Sequence, residues 1–205
     1  AAENYDASVP LLVYMDLKVV DQELNIVHES MIRTQSDHAN TELIQELTEN
    51  TVTGGVSMIN RALADLWTGQ EEHELLMHDW YLGLLASAFG QLVYLDQPGE
   101  LYRQHSNNVL GARTLRKRMK NWIHPSRLFV KYWKLIKDSQ TQARNLLSQP
   151  LTTENREIIE NFVTIMEVPF AERLRRIRKY GYRKNRAFHT LVFTTLILTK
   201  FAYKE

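Results

Sequence analysis

The order of apolar and polar positions predicts a strand-rich first part and a helical second part. Residues 10–21, PLLVYMDLKVVD, are apolar and β-branched and predict a strand that carries Asp16 near its end. Residues 21–25 read as a turn, and Ile26-Val27-His28 as a short returning strand. Residues 41–50 predict a short helix, Val56-Ser57-Met58-Ile59 a small apolar segment, and Asn60-Arg61-Ala62 the start of another helix. The stretch that organises the chain is 78–111, HDWYLGLLASAFGQLVYLDQPGELYRQHSNNVLG. Leu82, Leu85, Ala86 and Phe89 fall at i, i+3, i+4 and i+7, which predicts a helix with one buried face. Gly90 supplies its stop. A strand (QLVYLD), a Pro98-Gly99 turn and the cluster Tyr102-Arg103-Gln104-His105 follow.

From Thr114 the pattern is helical and basic. LRKRMKNWIH and SRLFVKYWKLIKDSQTQARNLLS lie on either side of Pro125. TTENREIIENFVTIMEV predicts an acidic helix with Thr153 as N-cap, ended by Pro169. A basic run and the apolar segment AFHTLVFTTLILTKFAY close the sequence.

Charge sharpens this division. The 205 residues carry a net +1, but residues 1–112 hold 17 Asp+Glu against 4 Lys+Arg, and residues 113–205 hold 7 against 21. The boundary is therefore placed near 112, between an acidic unit (1–112) and a basic helical one (113–205). Such opposite signs predict that the second unit faces an anionic partner, or that the halves attract each other. Absence of cysteine excludes disulfides and thiolate metal sites and fits a reducing compartment. The opening AAENYDASVP has neither a basic n-region nor an apolar run, so no signal peptide is expected.

Two clusters carry candidate chemistry. Asp79, in the first turn of the expected helix, is favoured in its charged form by the helix dipole, and an ionised carboxylate beside a pocket can act as general base on a hydroxyl. Its neighbours His78 and Trp80 are candidate substrate contacts. Arg103 and His105, two apart on a strand, would share one face. The guanidinium fork matches phosphate oxygens, and a neutral imidazole can bind a divalent metal. Gly54 and Gly55 allow close backbone approach to a ligand. There is no Gly-rich phosphate loop, no HExxH zinc helix and no Gly-x-Ser-x-Gly elbow.

Taken together, residues 12–30 (LVYMDLKVVDQELNIVHES), 50–63 (NTVTGGVSMINRAL), the 78–111 stretch and the basic helical tail resemble glycosyltransferase family 2, especially the bacterial rhamnosyltransferase-like members that build surface polysaccharides. The resemblance implies an α/β chain forming the C-terminal part of a GT-A (Rossmann-like) fold, with a mostly helical, basic C-terminal region. It implies inverting glycosyl transfer from a nucleotide-diphosphate sugar donor to a glycan or lipid-linked acceptor. Asp79 would be the base; His78, Trp80, Gly54, Gly55, Arg103 and Asn108 would bind substrate; His105 would serve a Mg²⁺ or Mn²⁺ ion. The family's first βαβ units and Asp-x-Asp metal motif have no counterpart in these residues. The chain is thus expected to be the acceptor-side fragment, inactive alone for want of the nucleotide-binding half.

The tail carries a further expectation. Eight Lys+Arg lie between residues 173 and 186, and residues 191–198 are apolar or Thr throughout. That apolar run is far short of the ~20 residues a spanning helix needs. A basic stretch joined to a short apolar one suits an interfacial helix on an anionic membrane surface, so a cytoplasmic protein peripheral to the inner face of the membrane is expected. The alternative is a non-catalytic membrane-surface or partner-binding module. Nucleic acid is not an expected partner: Trp122, Phe129, Tyr132 and Trp133 fall at core-like helical spacing, and the acidic half would repel phosphates.

Overall fold

The computed structural model describes residues 6–68, 75–103 and 125–203. Among them the chain is mixed α/β, with a four-stranded mixed sheet and eight α-helices. Strand β1 (Leu11–Val20) is the hub of the sheet. It pairs antiparallel with β2 (Ile26–His28) at Val19 and Val20, and antiparallel with β3 (Ser57–Ile59) from Leu12 to Tyr14. Along its whole length it pairs parallel with β4 (Gln91–Arg103).

Strand β4 is continuous through the expected Pro98-Gly99 turn. Met15 pairs with Leu95, Asp16 with Pro98 and Leu17 with Glu100, so Asp96, Gln97 and Gly99 are left over as bulged residues. A bulge absorbs the proline, which cannot donate to a ladder. On β1 the buried positions change phase at the same place: Leu12, Tyr14 and Asp16 are buried before it, Leu17 and Val19 after it. Alternation along the strand puts Leu17 and Val19 on the face opposite Leu12 and Tyr14. Leu12 and Tyr14 accordingly join the main core, whereas Leu17 and Val19 form a small separate cluster with Met31, against which Tyr102 packs.

Helices α1 (Met31–Gln35), α2 (Leu43–Thr48) and α3 (Arg61–Thr68) connect the strands, and α4 (His78–Phe89) leads into β4. Helix α1 was not expected from its five-residue pattern. It is held from outside: Asp16 Oδ1 accepts from the Met31 and Ile32 N–H groups, both at 3.1 Å, and Ser30 caps Arg33 N–H at 2.9 Å. Helix α4 buries more than the one expected face, since Trp80 to Ala86 are all buried. An all-round apolar helix belongs inside. At its end, a Cβ on Gly90 would lie 1.9 Å from Pro10 O, so only glycine lets β4 start alongside β1.

In the second part, α5 (Pro125–Arg144) packs on α2 and α4 and α6 (Thr153–Val163) on α2, while α7 (Phe170–Tyr180) packs on α6 and α8 (Ala187–Thr199) on α7 and α5. Proline opens α5, where its missing N–H costs nothing. The cap of α6 is Thr152, whose side chain accepts from Asn155 N–H, one residue before the expected Thr153. Gly181, with φ 71°, closes α7 in the left-handed conformation. Buried residues from both sides of position 112, Leu12 and Leu85 among them with Trp133, Phe162 and Phe193, form one continuous core. Among the described residues no helix is long and apolar enough to cross a membrane.

Six of the eight cations in the 173–186 run have intramolecular partners. Arg173 donates to Leu198 O, Arg175 and Arg176 pair with Glu172, and Lys179 pairs with Glu157. Lys184 donates to Thr48 O, and Arg186 pairs with Asp37 at 3.1 Å. Between these last two, Asn185 Nδ2 reaches Asn40 Oδ1 and Ser36 Oγ, both at 2.6 Å. The basic segment thereby docks onto the acidic part through the loop before α2.

Candidate active site

The start of α4 faces the glycine turn that precedes β3. Gly54–Val56 forms one turn of 3-10 helix, and the Gly54 N–H donates to Asp79 Oδ2 at 3.3 Å. Asp79 Oδ1 accepts from the Trp80 N–H at 2.8 Å. The half-buried carboxylate thus receives two backbone donors while standing in the first turn of a helix. A Cβ at Gly54 would lie 3.0 Å from His78 Nε2, and one at Gly55 would lie 3.2 Å from Glu100 Oε2. Both glycines are therefore close-approach positions. His78, Asp79, Gly54, Gly55 and Glu100 converge on one surface, with His78 and Glu100 exposed.

Two buried residues fix this helix start. Gln142 on α5 is fully buried; its Oε1 accepts from Leu76 N–H at 2.9 Å and its Nε2 donates to Met77 O at 2.8 Å. That pair of bonds clamps the chain immediately ahead of His78. On the other side, Trp80 Nε1 donates to Glu46 O at 2.8 Å. The Trp80 indole is thus part of the core, where it helps to position α4.

Below lies a polar network. Tyr14 OH donates to Asn40 O at 2.7 Å, and Asn40 Nδ2 donates to Glu46 Oε1 at 2.9 Å. Burial pushes the Tyr14 hydroxyl far above its ordinary value. Burial likewise pushes the Glu46 carboxyl up to about 8, with a smaller contribution from the Asp79 charge.

Arg103 is exposed at the end of β4, paired with Val20 and three residues beyond Glu100. His105 and Asn108 lie outside the described residues. So does the boundary at 112. Among the described residues no three His, Asp or Glu side chains converge as a metal-binding group.

Glu46, Gln142, Asn40 and Glu100 were not singled out by the sequence. Glu46 alone left a signal, as a carboxylate falling between Leu43 and Leu47 on the apolar face of a short helix. Comparison of the chain with protein-family models, with curated proteins and with solved structures gives no match.

Proposed function

We propose that this chain is the acceptor-side part of an inverting glycosyltransferase that uses a nucleotide-diphosphate sugar, with Asp79 as general base. The observation that carries the reading is the placement of Asp79: a carboxylate at a helix start, held by Gly54 N–H and Trp80 N–H, beside a glycine turn against which the exposed His78 and Glu100 side chains pack closely. Asp79 would take the proton of an acceptor hydroxyl as that oxygen bonds to the anomeric carbon. The bond from that carbon to the diphosphate breaks in the same displacement, and the nucleoside diphosphate leaves. No protein nucleophile is needed, and Arg103 supplies a cation suited to the departing phosphate charge. Asp79→Asn in the full-length protein should reduce transfer about 10²–10⁴-fold, the usual worth of general-base assistance, with donor affinity retained. Turnover at the wild-type rate would remove Asp79 from the mechanism.

A second reading, a membrane-surface module, is favoured by α8. This helix contains no charged residue, yet Phe188 is 60% and Leu191 65% exposed on its outer side. The two readings are compatible if the acceptor is a lipid-linked glycan at the inner face of a cytoplasmic membrane.

A further inference from the structure

The floor beneath Asp79 holds a carboxyl group that the transfer chemistry does not use. Glu46 on α2 has no solvent exposure. Its Oε1 accepts from Asn40 Nδ2 at 2.9 Å and from Thr51 N–H at 3.4 Å, whereas its Oε2 is buried without a hydrogen-bond partner. A Cβ on Gly83 would lie 3.3 Å from that Oε2, so a glycine in α4 is what admits the bare oxygen. The backbone oxygen of Glu46 holds the Trp80 indole. Glu46 therefore meets α4 at the residues one and four positions beyond Asp79.

This geometry suits the neutral acid. An ionised carboxylate would place charge on an oxygen that no donor reaches, inside a low-dielectric core. A protonated group keeps Oε1 as the acceptor for both donors and leaves the proton on Oε2. The titratable neighbours point the same way. Asp79 on α4 and Glu49 just past the end of α2 both disfavour a negative charge on Glu46, and Tyr14 on β1 is itself affected by it. Lys184 sits on Thr48 O at the end of α2, where the charge that acts on it is that of Glu49.

We propose that Glu46 is a positioning residue for Asp79: a buried carboxylic acid kept neutral, which seats the first turns of α4 without opposing the ionisation of Asp79. The proposal rests on the reading of Asp79 as the base, but its test does not. Carboxyl ¹³C NMR on the chain as given, with Glu46→Gln and Asp79→Asn used to assign the two resonances, follows both groups across pH. Glu46 should titrate near 8, and the Asp79 resonance should show a second inflection there that vanishes in Glu46→Gln. A Glu46 midpoint below about 6, or an Asp79 curve without that second inflection, overturns the proposal. Both are read on the wild-type chain, and if Glu46→Gln fails to fold, through-bond correlation from the backbone assigns the Glu46 carboxyl there instead. If the coupling is seen but Asp79→Asn transfers normally, the general-base reading fails and the role of Glu46 in shaping α4 stands.

Discussion

The Gly54 N–H reaches the Asp79 carboxylate at 3.3 Å, across 25 residues of sequence. That bond ties the glycine turn to the start of α4, so either partner can be disturbed through the other. The His78 ring closes the space above Gly54, because a Cβ there would lie 3.0 Å from Nε2.

Gly54→Ala is accordingly expected to separate stability from activity. His78 is exposed and can swing aside, which limits the loss of stability to about 1 kcal/mol. The shift of the turn relative to Asp79 should lower kcat/KM of the full-length protein by about 10-fold or more, since displacements near 1 Å can cost 10². Chemical denaturation beside a transfer assay separates the two effects; unchanged transfer would show that the turn does not position the base.

Gly90→Ala should be far more damaging to the fold. The new methyl would meet Pro10 O at 1.9 Å, and that same oxygen accepts the Gln91 N–H at 2.9 Å. Both contacts are backbone, so no side chain can yield, and a loss on the order of 3 kcal/mol or more is expected. A urea midpoint within error of wild type would contradict the parallel start of β1 and β4.

The stability of the chain should pass through a minimum near pH 8. Glu46 is held up at about 8 from an ordinary 4.5, so between those values the folded state binds the extra proton and stability falls as pH rises. Burial lowers Lys184 to about 8 from 10.5, so above 8 the unfolded state binds the extra proton and stability rises again. The drop from Glu46 amounts to about 3 kcal/mol or more by the usual conversion of pKa shifts. Unfolding free energies measured from pH 4 to 10 check the sign; a steady rise through pH 6–8 in wild type would be inconsistent with a neutral Glu46.

Replacing the outer apolar residues of α8, as Phe188→Ser with Leu191→Ser, should leave the fold intact and weaken co-sedimentation with anionic vesicles. Phe193, Leu196 and Ile197, which face the core, are untouched by the change. Because most cations of the 173–186 run already have intramolecular partners, the apolar contribution should outlast added salt. Wild-type protein that stays in the supernatant with anionic vesicles at low salt rules out a membrane role for this face.

Local pattern made much of this architecture legible. Strands β1 and β2, the extent of α4 and its stop at Gly90, and the helical character of the second part all follow from periodicity and punctuation. What escaped depends on contacts distant in sequence. Helix α1 exists because Asp16, fifteen residues earlier, supplies the acceptor for its free N–H groups. The strand β4 survives Pro98 because β1 tolerates a bulge at Asp16. The site was half legible: Asp79 and the glycine pair announce themselves by residue type and position. Gln142 and Asn40 do not, since an amide shows its value only when its partners arrive from elsewhere in the fold.

The bond between Asn185 and Asn40 also has a temporal side. The two residues are 145 positions apart, and synthesis at roughly 5–20 residues per second separates their appearance by about 7–30 s. Throughout that interval the growing chain contains Asp79, Glu46 and the glycine turn but not the amide that completes the network under them. Hydrogen exchange at the Asn40 amide in chains arrested before residue 183 should be faster than in the finished protein. On this account Asp79 is in place well before the amide that completes the network beneath it.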